Sequence, residues 1–272
     1  MGSETGIVRR ARNRLMRAAG QFPLHPPSGV DGPLLLRVAC ESLLTSRRHL
    51  TIVQVGANDG QHNDPVNPVV TSYWDRTRLL LIEPQNLVIP HLRDTYAGHP
   101  DIDIINGAIG PTGSLDLFVI DPSHWEYCQP RYAADWPTYR APTGVTSSSR
   151  DHVSAWLAKY YNGDLPIDRL ILRQSVPCMP LPQVLSKSGC PPPDILVVDT
   201  EGYDDVVLQH SALETLRPAV VFFEHAHFGD VRREALLAHL TATGYTTHAV
   251  GDDSLALRTG TEGVSSSRQK PG

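Results

Sequence analysis

The stretch "IVQVGANDG", residues 52–60, climbs through apolar residues to Gly56 and then breaks into Gly-Ala-Asn-Asp-Gly. A buried parallel strand that ends in a glycine turn is where an open α/β sheet presents its ligand. Gly56 permits a tight turn, and Gly60 permits close backbone approach. Where a dinucleotide fingerprint has its middle glycine, this chain has Asn58.

The strand has companions. Apolar runs recur at 78–82, 101–105, 194–198 and 218–223, the last starting at Pro218. They show little alternation, as expected of strands covered on both faces. Helical patterns at 86–96, 151–161, 180–187, 203–214 and 231–243 lie between them. Alternating strands and helices predict an α/β fold with a parallel sheet and right-handed crossovers. "GYTTHAV", "GDD" and "SLALR" then predict a closing antiparallel hairpin. Residues 121–150 interrupt the alternation with four Pro, two Trp and three Tyr, and read as a long inserted loop, either a lid or substrate wall or a surface excursion folded on itself. Its aromatic rings suit a flat, partly apolar ligand such as a sugar.

In such a sheet the chemistry gathers at the carboxyl ends of the strands. After the first strand come Gly56, Ala57, Asn58, Asp59 and Gly60, then His62, Asn63 and Asp64. Glu83, Pro84 and Gln85 follow the second, with Glu83 lying 23 residues beyond Gly60, where a carboxylate can accept from both hydroxyls of a ribose. Asn106, Gly107 and Ala108 follow the third and suit a planar base. A pyrophosphate needs bare amides, and a turn carrying Asp59 would repel it. The same turn would tolerate the ammonium and carboxylate of an amino acid joined to adenosine, which describes S-adenosylmethionine. Asp199, Glu201 and Asp204 follow the fourth strand, and Glu224, His225 and His227 the fifth. Acids and imidazoles that converge at sheet ends form a general-base system or a metal site. On an extended segment His225 and His227 share one side.

Composition narrows the partners. The 272 residues carry a net charge of −5, which gives no reason to expect nucleic acid. Residues 1–50 hold eight Arg against Glu4, Asp31 and Glu41. "IVRRARNRLMRAA", 7–19, reads as a basic amphipathic helix that packs on the acidic remainder or touches an acidic partner or membrane surface. "QFPLHPPSGVDGP", 21–33, reads as a linker. Cys40, Cys128, Cys178 and Cys190 lack zinc or disulfide spacing, and no apolar run reaches membrane-spanning length. A cytoplasmic protein with reduced thiols is expected. The organisation expected is an extension over 1–49, a main domain over 50–260 and a disordered tail over 261–272.

Together "VQVGANDGQHNDP", "LLIEPQNLVIPHL", "SSSRDHV", "VPCMPLPQVL", "DILVVDTEGYD" and "VFFEHAHF" resemble the FkbM family of S-adenosylmethionine-dependent methyltransferases, over roughly residues 50–240. The resemblance implies a Rossmann-like class I methyltransferase fold, with seven strands in the order 3-2-1-4-5-7-6. It implies that Gly56–Gly60 wrap the methionine part of the cofactor, that Glu83 binds the ribose, and that Asn106–Ala108 line the adenine. Asp64 and Asp199 would lie near the methionine end or the acceptor. Family members commonly methylate hydroxyls of sugars and polyketides. An Arg-rich, Lys-poor chain further suggests, by analogy, an actinobacterial sugar O-methyltransferase of polysaccharide synthesis, and a homodimer is compatible with it.

Methyl transfer is an in-line displacement in which the protein aligns the acceptor and removes its proton. The expected base is His225, kept basic by Glu224 or Glu201, with His227 second. A divalent metal such as Mg²⁺ on Asp199, Glu201 or Glu224 is a variant. Three rivals compete: a nicotinamide oxidoreductase, which Asn58 and Asp59 disfavour; a metal hydrolase, which leaves Glu83 without a purpose; and a silent binding module on the same fold.

Overall fold

The computed structural model describes residues 31–259. The basic segment 7–19, most of the 21–33 linker and the 261–272 tail lie outside the described residues. The strands are β1 (Leu50–Val55), β2 (Thr77–Glu83), β3 (Ile102–Asn106), β4 (Ala108–Ile109), β5 (Gly113–Ile120), β6 (Ile171–Met179), β7 (Ile195–Val198), β8 (Val220–Glu224), β9 (Tyr245–Val250) and β10 (Asp253–Arg258). The helices are α1 (Gly32–Leu44), α2 (Asn67–Ser72), α3 (Ile89–Thr95), α4 (Arg140–Gly144), α5 (Arg150–Tyr160), α6 (Leu181–Ser188), α7 (Asp204–Gln209), α8 (Leu213–Leu216) and α9 (Asp230–Ala242).

Seven strands form one sheet in the order β3-β2-β1-β7-β8-β10-β9. Every neighbour is parallel until β10, which runs antiparallel to both β8 and β9. The written numbers differ from 3-2-1-4-5-7-6 because β4, β5 and β6 belong to a second sheet. Counted along the large sheet alone, the order is the same.

The central strands β1, β2, β7 and β8 are buried on both faces, which is why they read as continuous apolar runs. Val53, Val55, Leu80, Ile82, Leu196, Val198, Val221 and Phe223 pack against Leu181, Val184 and Leu185 of α6, Leu208 of α7 and Leu236 and Leu240 of α9. Leu50, Ile52, Leu79, Leu81, Ile195, Val197, Val220 and Phe222 pack against Leu36, Ala39, Cys40 and Leu44 of α1, with Val69, Val70, Leu92 and Tyr96. Helix α1 begins inside the expected linker. Asp31 caps it by accepting from Leu34 N at 2.9 Å, and Pro33 occupies its first turn, where the missing N–H costs nothing. The single helix expected over 203–214 is two, because Ala212 takes a left-handed φ of +46° between α7 and α8.

The inserted segment 121–150 holds two 3-10 turns, Pro122–Tyr127 and Arg131–Ala133, and helix α4, and it lies between two strands of a second sheet. Antiparallel β5 and β6, with the two-residue β4 beside β6, make a three-stranded sheet. Pro177 fits within β6 because β4 pairs only from Cys178 onward, so Pro177 has a ladder partner on one side only. Under this sheet Ile120, Cys128, Val145, Val153, Leu157 and Leu170 form a satellite core that fixes α5. Among the described residues no helix is long and apolar enough to cross a membrane.

Candidate active site

Strand β1 has β2 on one side and β7 on the other, so its carboxyl end is where the sheet opens. Gly56 (φ +83°) turns the chain there. A Cβ at this position would stand 1.7 Å from the Asp199 carbonyl oxygen, so only glycine fits against the end of β7. Beyond the turn lies a cleft of about 290 Å³, walled by Gly56, Asn58, Glu83, Pro84, Gln85, Gly107 and Ala108 at one end. At the other end stand Asp199, Glu201, Glu224, His152 and His227. Tyr132, Trp136, Arg140 and Trp156 come from the insertion and α5.

Glu83, 2% exposed, organises the first end. Its Oε2 accepts from Asn58 N and its Oε1 from Gln85 N, both at 2.8 Å. Each oxygen keeps a further acceptor position, and burial pushes the carboxyl above its usual pKa. Gln85 donates to Thr143 O at 3.0 Å and accepts from Thr146 Oγ1 at 2.8 Å, which ties the insertion to this wall. At Gly107 a Cβ would meet only Pro177 O at 3.3 Å, so the chain there is thin.

The second end converges from three segments. Ser149 caps α5 by accepting from His152 N at 3.3 Å, and the helix carries His152 into the cleft. Glu201 follows β7 with a left-handed φ of +51°, and Ser147 Oγ donates to its carbonyl at 2.7 Å. Strained backbone of this kind persists where surrounding contacts over-determine it. His227 Nε2 lies 3.3 Å from both Glu201 Oε2 and Glu224 Oε2, and His152 Nε2 lies 3.2 Å from Glu201 Oε2. The two imidazoles meet edge to face, 4.5 Å between centroids.

Electrostatics follow from that crowding. The carboxylates of Glu201 and Glu224 push His227 up to about 10. Burial would raise Glu201, but His152 and His227 offset it and hold the carboxyl below its usual value. Asp199 goes well above the usual carboxylate range, through burial and then the nearby charges of Glu201, Glu224 and Asp204. Asp204, fully buried behind it, rises to about 7, chiefly through burial.

Several expected residues stand elsewhere. His225 is turned away: Nδ1 pairs with Ser254 Oγ at 3.0 Å and its backbone N–H donates to Asp252 O at 2.9 Å. The shared side expected for His225 and His227 required an extended segment. The strand ends at Glu224 instead, and a turn closed by Phe228 N to His225 O separates the two rings. Asp59 does not face the cleft. It accepts from Gln61 N and His62 N, and lies 2.7 Å from His62 Nδ1 and 3.4 Å from Arg140 Nε. Its carboxylate is taken up by His62 and Arg140 and does not line the cleft. Asp64 accepts from Gln54 Nε2, Val66 N and Asn67 N outside the cleft lining. Asn106 holds the turn from behind by donating to Glu83 O and Pro84 O. Ala57 and Gly60 shape the turn without lining the cleft; at Gly60 a Cβ would meet Tyr96 at 2.5 Å. His152, carried by the "SSSRDHV" segment, joins this cluster although no spacing in the sequence singles it out.

A seven-stranded sheet of this order, with its last pair reversed and its cleft at the carboxyl ends, is the class I methyltransferase architecture. Residues 54–246 match the Methyltransferase FkbM domain, and the chain belongs to that family. It is a methyltransferase, and the family implies S-adenosylmethionine as donor. Among solved structures, the cofactor-bound Rv0187 of MTB is 12% identical, with a TM-score of 0.44 over 94% of this chain and 89% of that one. The precorrin-6y C5,15-methyltransferase of Geobacter metallireducens is 10% identical, with a TM-score of 0.41 over 88% of this chain and 100% of that one. No curated protein matches the chain.

Proposed function

We propose that this chain is an O-methyltransferase that methylates a hydroxyl of a sugar or oligosaccharide. The observation that carries the reading is the arrangement of one cleft: a glycine-walled end around Glu83, an acid–imidazole cluster opposite, and aromatic rings from the insertion and α5.

The residues fit the donor. Glu83 has two fixed oxygens with free acceptor positions for a ribose diol. Gly107 and Ala108 leave a thin wall for a planar base, and the Gly56–Asn58 turn borders the remaining length for the amino-acid part. S-adenosylmethionine supplies a methyl group already activated on a sulfonium. What remains for the protein is alignment and proton removal, and a positioned base is worth about 10²–10⁴-fold.

The base differs from the one expected. His225 is outside the cleft, and His227 Nε2 is taken up between Glu201 Oε2 and Glu224 Oε2, 3.3 Å from each. We assign proton removal to Glu224, whose Oε2 is shielded from solvent and makes no hydrogen bond. Asp199 stands beside it in the same cleft. Tyr132, Trp136 and Trp156 offer flat apolar faces to a sugar ring, and Arg140 a polar edge.

The test is to incubate the protein with methyl-labelled donor and a panel of mono- and oligosaccharides. Label recovered as an O-methyl ether, abolished in Glu224→Gln, supports the reading. Label recovered only on carbon, or on no saccharide, refutes it.

A further inference from the structure

We propose that His152, Glu201 and His227 form a binding site for a divalent first-row transition metal, with Glu224 beside it. The role given to the metal rests on the methyltransferase reading; the site itself does not.

The geometry is that of ligands around an empty centre. The three donor atoms, two imidazole nitrogens and one carboxylate oxygen, lie within 4.8 Å of one another. Glu201 Oε2 stands 3.2 Å from one nitrogen and 3.3 Å from the other. With metal–ligand bonds of about 2.1 Å, adjacent ligands stand about 3.0 Å apart in an octahedron and about 3.4 Å apart in a tetrahedron. His152 Nε2 and Glu224 Oε2 are both shielded from solvent and make no hydrogen bond, although each has a charged or polar atom close by. Atoms that approach one another without the alignment of a hydrogen bond are free to point at a common third atom.

Further oxygen donors stand beside the three ligands. Asp199, Glu201 and Glu224 form a second cluster of close carboxylate oxygens that shares Glu201 with the first. Arg140, which also lines the cleft, is engaged with Asp59 and the His62 carbonyl. The donor set selects the metal. Two imidazoles, with His227 giving up its proton as the ion enters, suit Fe²⁺, Co²⁺ or Zn²⁺ and accept Mn²⁺, whereas Mg²⁺ prefers oxygen ligands and water. Three protein ligands leave positions open, as in catalytic metal sites. A hydroxyl bound there would give its proton to Glu224. Its O–H bond breaks, the electron pair stays on oxygen under the cation's charge, and the metal is neither oxidised nor reduced.

The test uses tag-free protein stripped with chelator and titrated calorimetrically with MnCl₂, ZnCl₂ and MgCl₂ in the absence of donor. One Mn²⁺ and one Zn²⁺ per chain are expected, at least about 10-fold tighter than Mg²⁺. His152→Gln and His227→Gln should each weaken Mn²⁺ by about 100-fold, measured at a temperature where each variant is folded. Pulsed electron paramagnetic resonance of the wild-type Mn²⁺ complex should show coupling to imidazole nitrogen, and this needs no variant. No stoichiometric binding, Mg²⁺ as tight as Mn²⁺, or no nitrogen coupling would each overturn the site. S-adenosylhomocysteine titrated separately keeps the two readings apart: its failure to bind sinks the methyltransferase reading and leaves the metal result standing.

Discussion

Glu83→Gln is the substitution that tests the donor end most sharply. The side chain is 2% exposed, and each carboxylate oxygen already accepts one backbone N–H at 2.8 Å. Glutamine keeps the shape but has a single acceptor oxygen. Either Asn58 N or Gln85 N then faces an amide NH₂, leaving a buried donor unpaired at a cost of about 1–3 kcal/mol. For a domain of this size that lowers the thermal midpoint by about 2–10 °C. The ligand loses more. A ribose diol would donate two hydrogen bonds to the charged group, each worth about 1.5–3 kcal/mol. Losing one and weakening the other costs about 2–4 kcal/mol, or about 30- to 1,000-fold in Kd. The assay is calorimetric titration with S-adenosylhomocysteine at a temperature where the variant is folded. If Glu83→Gln binds within about threefold of wild type, Glu83 is not the ribose anchor and this reasoning fails.

Other substitutions probe other parts of the account. Gly56 and Gly98 share a φ of +83°, but a Cβ at Gly56 would overlap Asp199 O, whereas at Gly98 it meets nothing within 4 Å. Gly98→Ala should therefore cost only the left-handed backbone penalty of about 1–2 kcal/mol, and Gly56→Ala clearly more, with loss of donor binding; equal denaturation midpoints would remove the argument. His227→Ala should lower turnover by about 100-fold, because it holds Glu201 and Glu224 in place, while His225→Ala leaves it within a few-fold, as single-turnover rates would show. Asp204 has a pKa raised to about 7, so the folded state binds more protons than the unfolded state from the ordinary carboxylate range up to pH 7. Its contribution makes stability fall as pH rises through that window and stay level above it. Asp204→Asn should flatten that fall in calorimetric melts from pH 4 to 8; an unchanged slope would contradict the assignment.

Much of this fold is legible before any coordinates, for a physical reason. Strands β1, β2, β7 and β8 are covered on both faces, so they read as apolar runs, and their carboxyl ends show where Glu83, Asp199, Glu201 and Glu224 must gather. Half-exposed structure is less visible. β5 and β6 expose much of their length and β6 contains Pro177, so neither has the signature of a buried strand. The turn after Glu224 hides a choice that no spacing rule makes: whether the chain stays extended decides which histidine enters the cleft. His152 is nearly 50 residues from Glu201, and only the packing of α5 on the satellite core brings them together. Asp59 is misread for a related reason, since its partner Arg140 comes from the insertion.

The central claim is that one cleft holds the methyl donor at the Glu83 end and presents its reactive sulfur to the cluster of Asp199, Glu201, Glu224 and His227. A crystal structure with S-adenosylhomocysteine bound tests it most directly. The account predicts the ribose hydroxyls on Glu83, the amino-acid part against the Gly56–Asn58 turn, and the sulfur facing the acid–imidazole cluster. A ligand whose sulfur points away from that cluster, or whose ribose leaves Glu83 untouched, would contradict it.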